Sequence, residues 1–252
     1  MLQTRVMPCL LLKNSGLVKT IKFKDPSYVG DPVNAIRIYN EKEVDELIFL
    51  DITATTEQKR PNFDVISQIA SECFMPVAYG GGIRDIEDAR RLFSMGIEKI
   101  AINSFAVEQP DFVRKAAEQF GSQAVVVSID AKKTPKGYEV MTHGGTRPTG
   151  LDPATFAKRM EETGAGELLI NSIDRDGTLE GYDIELIRSV SSAVGVPVIA
   201  VGGAGKVEHF TEAVKQGGAS AVAAGSMVVY FGRNRAVLIN FPARKKLIAA
   251  LS

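Results

Sequence analysis

Four aspartates stand where apolar runs give out: Asp51 closes ELIFLD, Asp130 closes QAVVVSID, and Asp174 and Asp176 follow ELLINSI. A carboxylate at the end of a buried strand, facing a cavity, is placed to give or take a proton. Asp130 follows its strand most directly and is the candidate general acid or base. A helix cap or a loop brace is the other use of an acid at such a point, and for Asp51 and Asp176 both uses stay open. Two glycine runs add a second chemistry. Pro76-Val-Ala-Tyr-Gly-Gly-Gly82 and Pro197-Val-Ile-Ala-Val-Gly-Gly203 each lead directly into a helix start. Backbone without a Cβ, beside the free amides of a helix N-terminus, suits a phosphate. Gly82 with Asn103 and Ser104 makes one candidate cradle; Gly203 with Gly225 and Ser226 makes the other. Two cradles call for a long ligand phosphorylated at both ends.

The elements that hold these residues alternate. Short β-rich runs recur eight times: RVMPCLLL, ELIFLDI, PVAYGG, KIAIN, QAVVVSID, ELLINSID, PVIAVGG and SAVAAGS. Amphipathic segments lie between most of them: Asp31 to Glu43, Asp85 to Met95, Pro110 to Phe120, Pro153 to Thr163, Asp183 to Val194 and Val207 to Gln216, many opening on Asp or Pro as helices do. Near-continuous apolar strands alternating with helices predict an α/β fold with a covered parallel sheet. Eight such units favour a single (β/α)8 TIM barrel over 1–252, with an open doubly wound sheet as the alternative. A repeat decides between them: an offset of 121 residues carries Pro76 onto Pro197, Gly82 onto Gly203, Gly96 onto Gly217, and Glu46 of DELIFLDI onto Glu167 of GELLINSI. Two half-barrels, about 1–121 and 122–252, follow from it. The segment Lys13 to Gly30, with Lys13, Lys19, Lys22 and Lys24, reads as a loop able to close over an anion.

Composition narrows the partners. The 252 residues are 45% hydrophobic, with 30 Lys plus Arg against 30 Asp plus Glu, so no global charge points to nucleic acid or an anionic membrane. No run approaches a membrane span, and MLQTRVMPCLLL enters a strand without the zones of a signal peptide, which implies a cytoplasmic protein. Cys9 and Cys73 are far apart in apolar settings and read as reduced core thiols, with no metal site and no cofactor expected.

The segments RVMPCL, GDPVNAIRIYNEKEVDELIFLDIT, PVAYGGGI, FGSQAVVVSIDAK, THGGTRPTGLDP, GAGELLINSIDRDGT and VGGAGKVEHF closely resemble the cyclase subunit of imidazole glycerol phosphate synthase, over essentially the whole chain. The long INSIDRDGT and FGSQAVVVSIDAK runs are more than a barrel signature. The resemblance implies a heterodimer with a glutaminase subunit, whose ammonia travels through the barrel centre to a bisphosphorylated aminoimidazole precursor at the mouth. It implies substrate contacts at Lys19, Asp51, Asp176 and Gly177 beside the two cradles, and a charged gate of Arg5, Glu46, Lys99 and Glu167 at strand starts. Glu98 and Gln123 would face the partner. A plain structural plug is the other use of such a charge cluster. The pathway's related isomerase shares the half-barrel repeat without the gate or the INSIDRDGT run.

One departure matters most. The family uses two aspartates, at the ends of strands one and five. Asp130 matches the second, and Leu11 stands at the first, with no proton to give or take. Asn14 and Ser15 replace the acid before the loop glycine, and Thr20 replaces the glycine after Lys19. Relatives with the PCLLLK strand are associated with amidotransferases that make amidino sugars for bacterial surface polysaccharide. Hence the leading expectation is a subunit that delivers ammonia to a changed acceptor, ahead of an ordinary cyclase of histidine biosynthesis and a non-catalytic activator of the glutaminase.

Overall fold

The computed structural model describes residues 4–232 and 234–251. Eight parallel strands close on themselves: β1 (Arg5–Lys13), β2 (Leu47–Asp51), β3 (Val77–Gly80), β4 (Lys99–Ile102), β5 (Val125–Thr134), β6 (Glu167–Ser172), β7 (Val198–Val201) and β8 (Ala221–Ala224). Each strand pairs in parallel with the next, β5 with β6 included, and β1 pairs both with β2, from Cys9↔Ile48 to Leu12↔Asp51, and with β8, from Arg5↔Ala221 to Pro8↔Ala224, which closes the ring. The (β/α)8 barrel therefore stands, and the open sheet falls.

Period-two alternation divides each strand between two cores. Outward side chains such as Val6, Leu10, Phe49, Tyr79 and Val127 pack against the helices. Inward ones, Met7, Cys9, Ile48, Ala78, Ala101, Val126, Leu169, Ile199, Ala221 and Ala223, form a separate apolar sleeve inside the barrel.

The outer helices include α1 (Pro32–Glu41), α2 (Phe63–Glu72), α3 (Ile86–Ser94), α4 (Pro110–Phe120), α5 (Pro153–Thr163), α6 (Ile184–Ser191), α7 (Val207–Lys215) and α8 (Arg244–Leu251). Side chains of Asp31, Asn62, Asp85, Asp152 and Asp183 each accept the N–H three residues on, capping α1, α2, α3, α5 and α6. Each such cap contributes about 1 kcal/mol and fixes where the βα loop ends. None of the described helices is long and apolar enough to cross a membrane.

Two expectations are corrected. Lys13 to Gly30 is no loop: Gly16–Ile21 runs antiparallel to β1 and to Lys24–Gly30, as a hairpin that extends the barrel wall beyond the mouth. The reason is local, since Leu17, Val18, Thr20 and Ile21 are strand formers, and Asn14, at φ 57°, opens the turn. Lys13, Lys22 and Lys24 are exposed, whereas Lys19 turns inward and is buried. The repeat also slips. Gly96 shares its left-handed backbone with Gly218 (φ 96° and 74°), so the second half carries one extra residue after α7.

Candidate active site at the barrel mouth

At the strands' C-terminal ends the βα loops enclose a cavity of about 340 Å³. Both cradles line it. Gly81 and Gly82 have φ of 121° and 74°, and their symmetry mates Gly202 and Gly203 have 92° and 109°. Only glycine sits easily there, and a Cβ on Gly82 would lie 2.7 Å from the Lys59 carbonyl oxygen. At the next strand ends, Asn103 (φ −110°, ψ −92°) and Gly225 (φ −101°, ψ −85°) share one backbone conformation, each followed by a buried serine, Ser104 or Ser226. The extra residue after α7 thus brings Ser104 into correspondence with Ser226. Asn103 donates to the Ser128 carbonyl, and Ser104 Oγ accepts from the His143 N–H at 2.9 Å, which fastens the Gly137–Thr142 strand over the first cradle.

The second cradle has a cation. Lys19 Nζ donates to the Cys9 carbonyl at 2.5 Å, and a Cβ on Gly225 would lie 2.8 Å from it. Burial lowers the Lys19 pKa, against the pull of Cys9 and Asp176. Burial also pushes the Cys9 thiol up to about 11, so this free cysteine stays protonated and inert.

The acids divide by role. Asp130 lines the cavity from the end of β5, and burial with the nearby Asp176 charge pushes it up to about 7, while the Asn171 amide opposes that rise. A carboxyl with that pKa exchanges its proton near neutrality. Asp176 also reaches the cavity, but its Oδ2 accepts Thr20 Oγ1 at 2.7 Å and the Phe23 N–H at 3.2 Å. Its carbonyl accepts the Lys22 N–H, and Gly177 beside it (φ 69°) packs against the Thr20 carbonyl. Burial raises the Asp176 pKa, the Thr20 and Phe23 bonds and Lys19 working against it. Asp51 Oδ1 accepts Thr53 N–H, Thr53 Oγ1 and Ala54 N–H at 2.8 to 3.1 Å, bracing its own loop. Asp174 is drawn away, accepting the Lys133 N–H beside an outer groove.

Leu11 lines the cavity beside Leu50, its register partner on β2. In strand order β1 lies diametrically across from β5, so an apolar wall faces Asp130. Two residues to which the sequence assigns no site role belong here: Thr20, noted there only as replacing a glycine, which ties the hairpin to Asp176, and Asn171 on β6. The signal for Asn171 is its polarity at an inward position of an otherwise apolar strand.

At the opposite end, Arg5 bonds Glu46 at 2.6 Å and Glu167 at 2.5 Å, while Lys99 bonds the same two carboxylates at 3.0 and 2.9 Å. The four side chains form a closed ring of alternating charge beneath the apolar sleeve. Burial lowers the Arg5 pKa, but the two glutamates outweigh it and leave the guanidinium more basic than usual. Glu98 and Gln123, exposed at the starts of β4 and β5, lie on this same end.

Fold and site together define a (β/α)8 barrel with a paired glycine cradle at one mouth and a charge ring at the other. Residues 5–234 match the family described as "Histidine biosynthesis protein", and the chain belongs to that family. It is 51% identical over 248 residues to a Pseudomonas aeruginosa protein provisionally named imidazole glycerol phosphate synthase subunit hisF2, covering 98% of this chain and 99% of that one. Proteins of Leptospira borgpetersenii and Leptospira interrogans, provisionally named imidazole glycerol phosphate synthase subunit HisF, are 50% and 49% identical, over 96% and 97% of this chain and the same shares of their own. The resemblance read from the sequence is thereby borne out.

Proposed function

We propose that this chain is an ammonia-using subunit of the imidazole glycerol phosphate synthase type. It takes ammonia from a glutaminase docked over Glu98, Gln123 and the charge ring, and adds it to a phosphorylated small molecule at the mouth. The observation that carries this reading is the order of layers along one axis: the ring of Arg5, Glu46, Lys99 and Glu167, the apolar sleeve, then the polar cavity between two glycine cradles. Every ring charge is paired within the ring, so the entrance is shut until a pair parts. Lys99, on a flexible stem, is the arm that can swing. The sleeve passes neutral ammonia more readily than an ion, because an unpaired charge there meets no partner. At the mouth the cradles and Lys19 hold the phosphates, and Asp130 exchanges a proton with the reacting group. Such an enzyme works in the cytoplasm.

The names of the relatives favour the plain form of this reading, in which the acceptor is the bisphosphorylated aminoimidazole precursor and the product is imidazole glycerol phosphate of histidine biosynthesis. Leu11 favours a second form. With the first acid absent, cyclisation is impaired and ammonia goes to another acceptor, through an amidotransferase that makes amidino sugars for surface polysaccharide. A positioned acid commonly contributes roughly a hundred- to ten-thousand-fold in rate, so the two forms differ by more than assay error. Purified chain with the bisphosphate and an ammonium salt separates them: turnover at an ordinary cyclase rate defeats the second form. Conduction is tested by Lys99→Trp in the glutaminase complex, where glutamine-dependent product should fall and ammonium-dependent product persist. Equal loss of both would leave a ring that only braces the barrel, and a chain that activates its glutaminase without passing ammonia.

A further inference from the structure

Strand β6 presents three inward side chains of unlike chemistry: Glu167 in the ring, Leu169 in the sleeve and Asn171 at the mouth. Asn171 is only 8% exposed, and its Oδ1 has no hydrogen-bond partner among the described residues. A buried acceptor left empty costs about 1–3 kcal/mol, and a leucine of similar size would finish the apolar layer without that cost. The chain thus keeps an unfilled acceptor where the sleeve opens. Asn171 stands in register with Asp130 on the neighbouring strand. On its other side a Cβ on Gly202 would lie 2.8 Å from Oδ1, so glycine there keeps the approach clear. The facing wall, Leu11 and Leu50, offers no polar side-chain atom.

We infer that Asn171 Oδ1 and the Asp130 carboxyl form a receiving site for a small N–H donor, ammonia or a primary amine, at the top of the sleeve. The inference deepens the ammonia-using reading and rests on it. Acceptors on one side only would hold the nitrogen by its hydrogens, leaving its lone pair turned away from both residues and towards the ligand in the cavity. Cys9, Lys19, Asp51, His143 and Asp176 are the other titratable groups that line the cavity, and Asp176 offsets the Lys19 charge.

The test uses the full chain labelled with 13C and 15N, titrated with methylammonium chloride at constant ionic strength, with tetramethylammonium, which has no N–H, as control. The Asn171 side-chain amide and the Asp130 carboxyl carbon should both shift and saturate with methylammonium alone. In Asn171→Leu, and in Asn171→Ala should leucine unsettle the barrel, the Asp130 response should need about tenfold more methylammonium, as expected for one lost hydrogen bond to a charged group. Equal shifts with tetramethylammonium, or an unchanged Asp130 response in both variants, would overturn the inference. Failure of the ammonia-using reading itself would appear separately, as missing glutamine-dependent product in the glutaminase complex.

Discussion

Replacing Lys99 with methionine removes one cation from a ring in which Glu46 and Glu167 each hold two partners. The glutamate side chains are 4% and 11% exposed and that of Lys99 is 16% exposed, so little water takes the vacated place. Breaking a buried pair costs roughly 3–5 kcal/mol. Arg5 still binds both carboxylates, which puts the loss near the lower end, about 3 kcal/mol. For a chain of this length each kcal/mol moves Tm by about 2–4 °C, so Lys99→Met should melt roughly 6–12 °C early. Thermal unfolding followed by circular dichroism reads this directly. Adding Glu167→Gln restores charge balance and should recover much of the loss, a coupling that a double-mutant cycle measures. A fall of less than 1–2 °C by the same scale, or strict additivity of the two substitutions, would refute the picture of a closed, mutually dependent ring.

Three further outcomes follow from the mouth. Asp130 keeps its proton up to about 7 in the folded barrel, against an ordinary 3.8, so its contribution to stability is greatest below about 4 and declines as pH rises to about 7. Asp130→Asn should therefore change little at acid pH and stabilise the chain at pH 8, by at most on the order of 4 kcal/mol; denaturant midpoints no higher at pH 8 than at pH 5, relative to wild type, would count against it. Thr20→Val removes a hydrogen bond to a half-buried carboxylate and should speed amide exchange in the Gly16–Ile21 and Lys24–Gly30 strands by about ten- to a hundredfold, while β6 exchange holds steady. Gly82→Ala and Gly203→Ala meet both a left-handed backbone and a neighbouring carbonyl. Each should weaken inorganic phosphate binding by calorimetry at its own end, and unchanged binding in both would dissociate the cradles from phosphate.

Much of this molecule is written locally. Each of the eight strands announces itself by an apolar run, and α4 and α5 begin at Pro110 and Pro153 as the sequence reading places them. Helix α2 is also legible, from the Asn62 cap and the spacing of Phe63, Ile66 and Ile69, although it was not among the segments first singled out. Helix α8 is harder, because among its described side chains Leu247 is the buried one and the amphipathic signal is faint. The hairpin at Gly16–Gly30 hid behind its lysines. Charge suggests a solvated loop, but Leu17, Val18, Lys19 and Thr20 are all buried, and the reason for burying Lys19 lies in tertiary partners, Cys9 and Asp176, that no local pattern reveals. The same holds for the acids. Type and position bring four aspartates forward together, and only the fold separates Asp130, at the end of β5, from Asp51 and Asp176, which line the same cavity while bracing loops, and Asp174, which leaves the mouth.

The central claim is that the mouth keeps its phosphate cradles and one acid while Leu11 denies it the other. Leu11→Asp tests this most directly, assayed with the bisphosphate and an ammonium salt beside the unaltered chain. The account predicts slow or absent cyclisation by the unaltered chain and a gain of at least a hundredfold in the variant, the lower bound for a positioned acid or base. Ordinary cyclase turnover by the unaltered chain, with no gain in the variant, would contradict it.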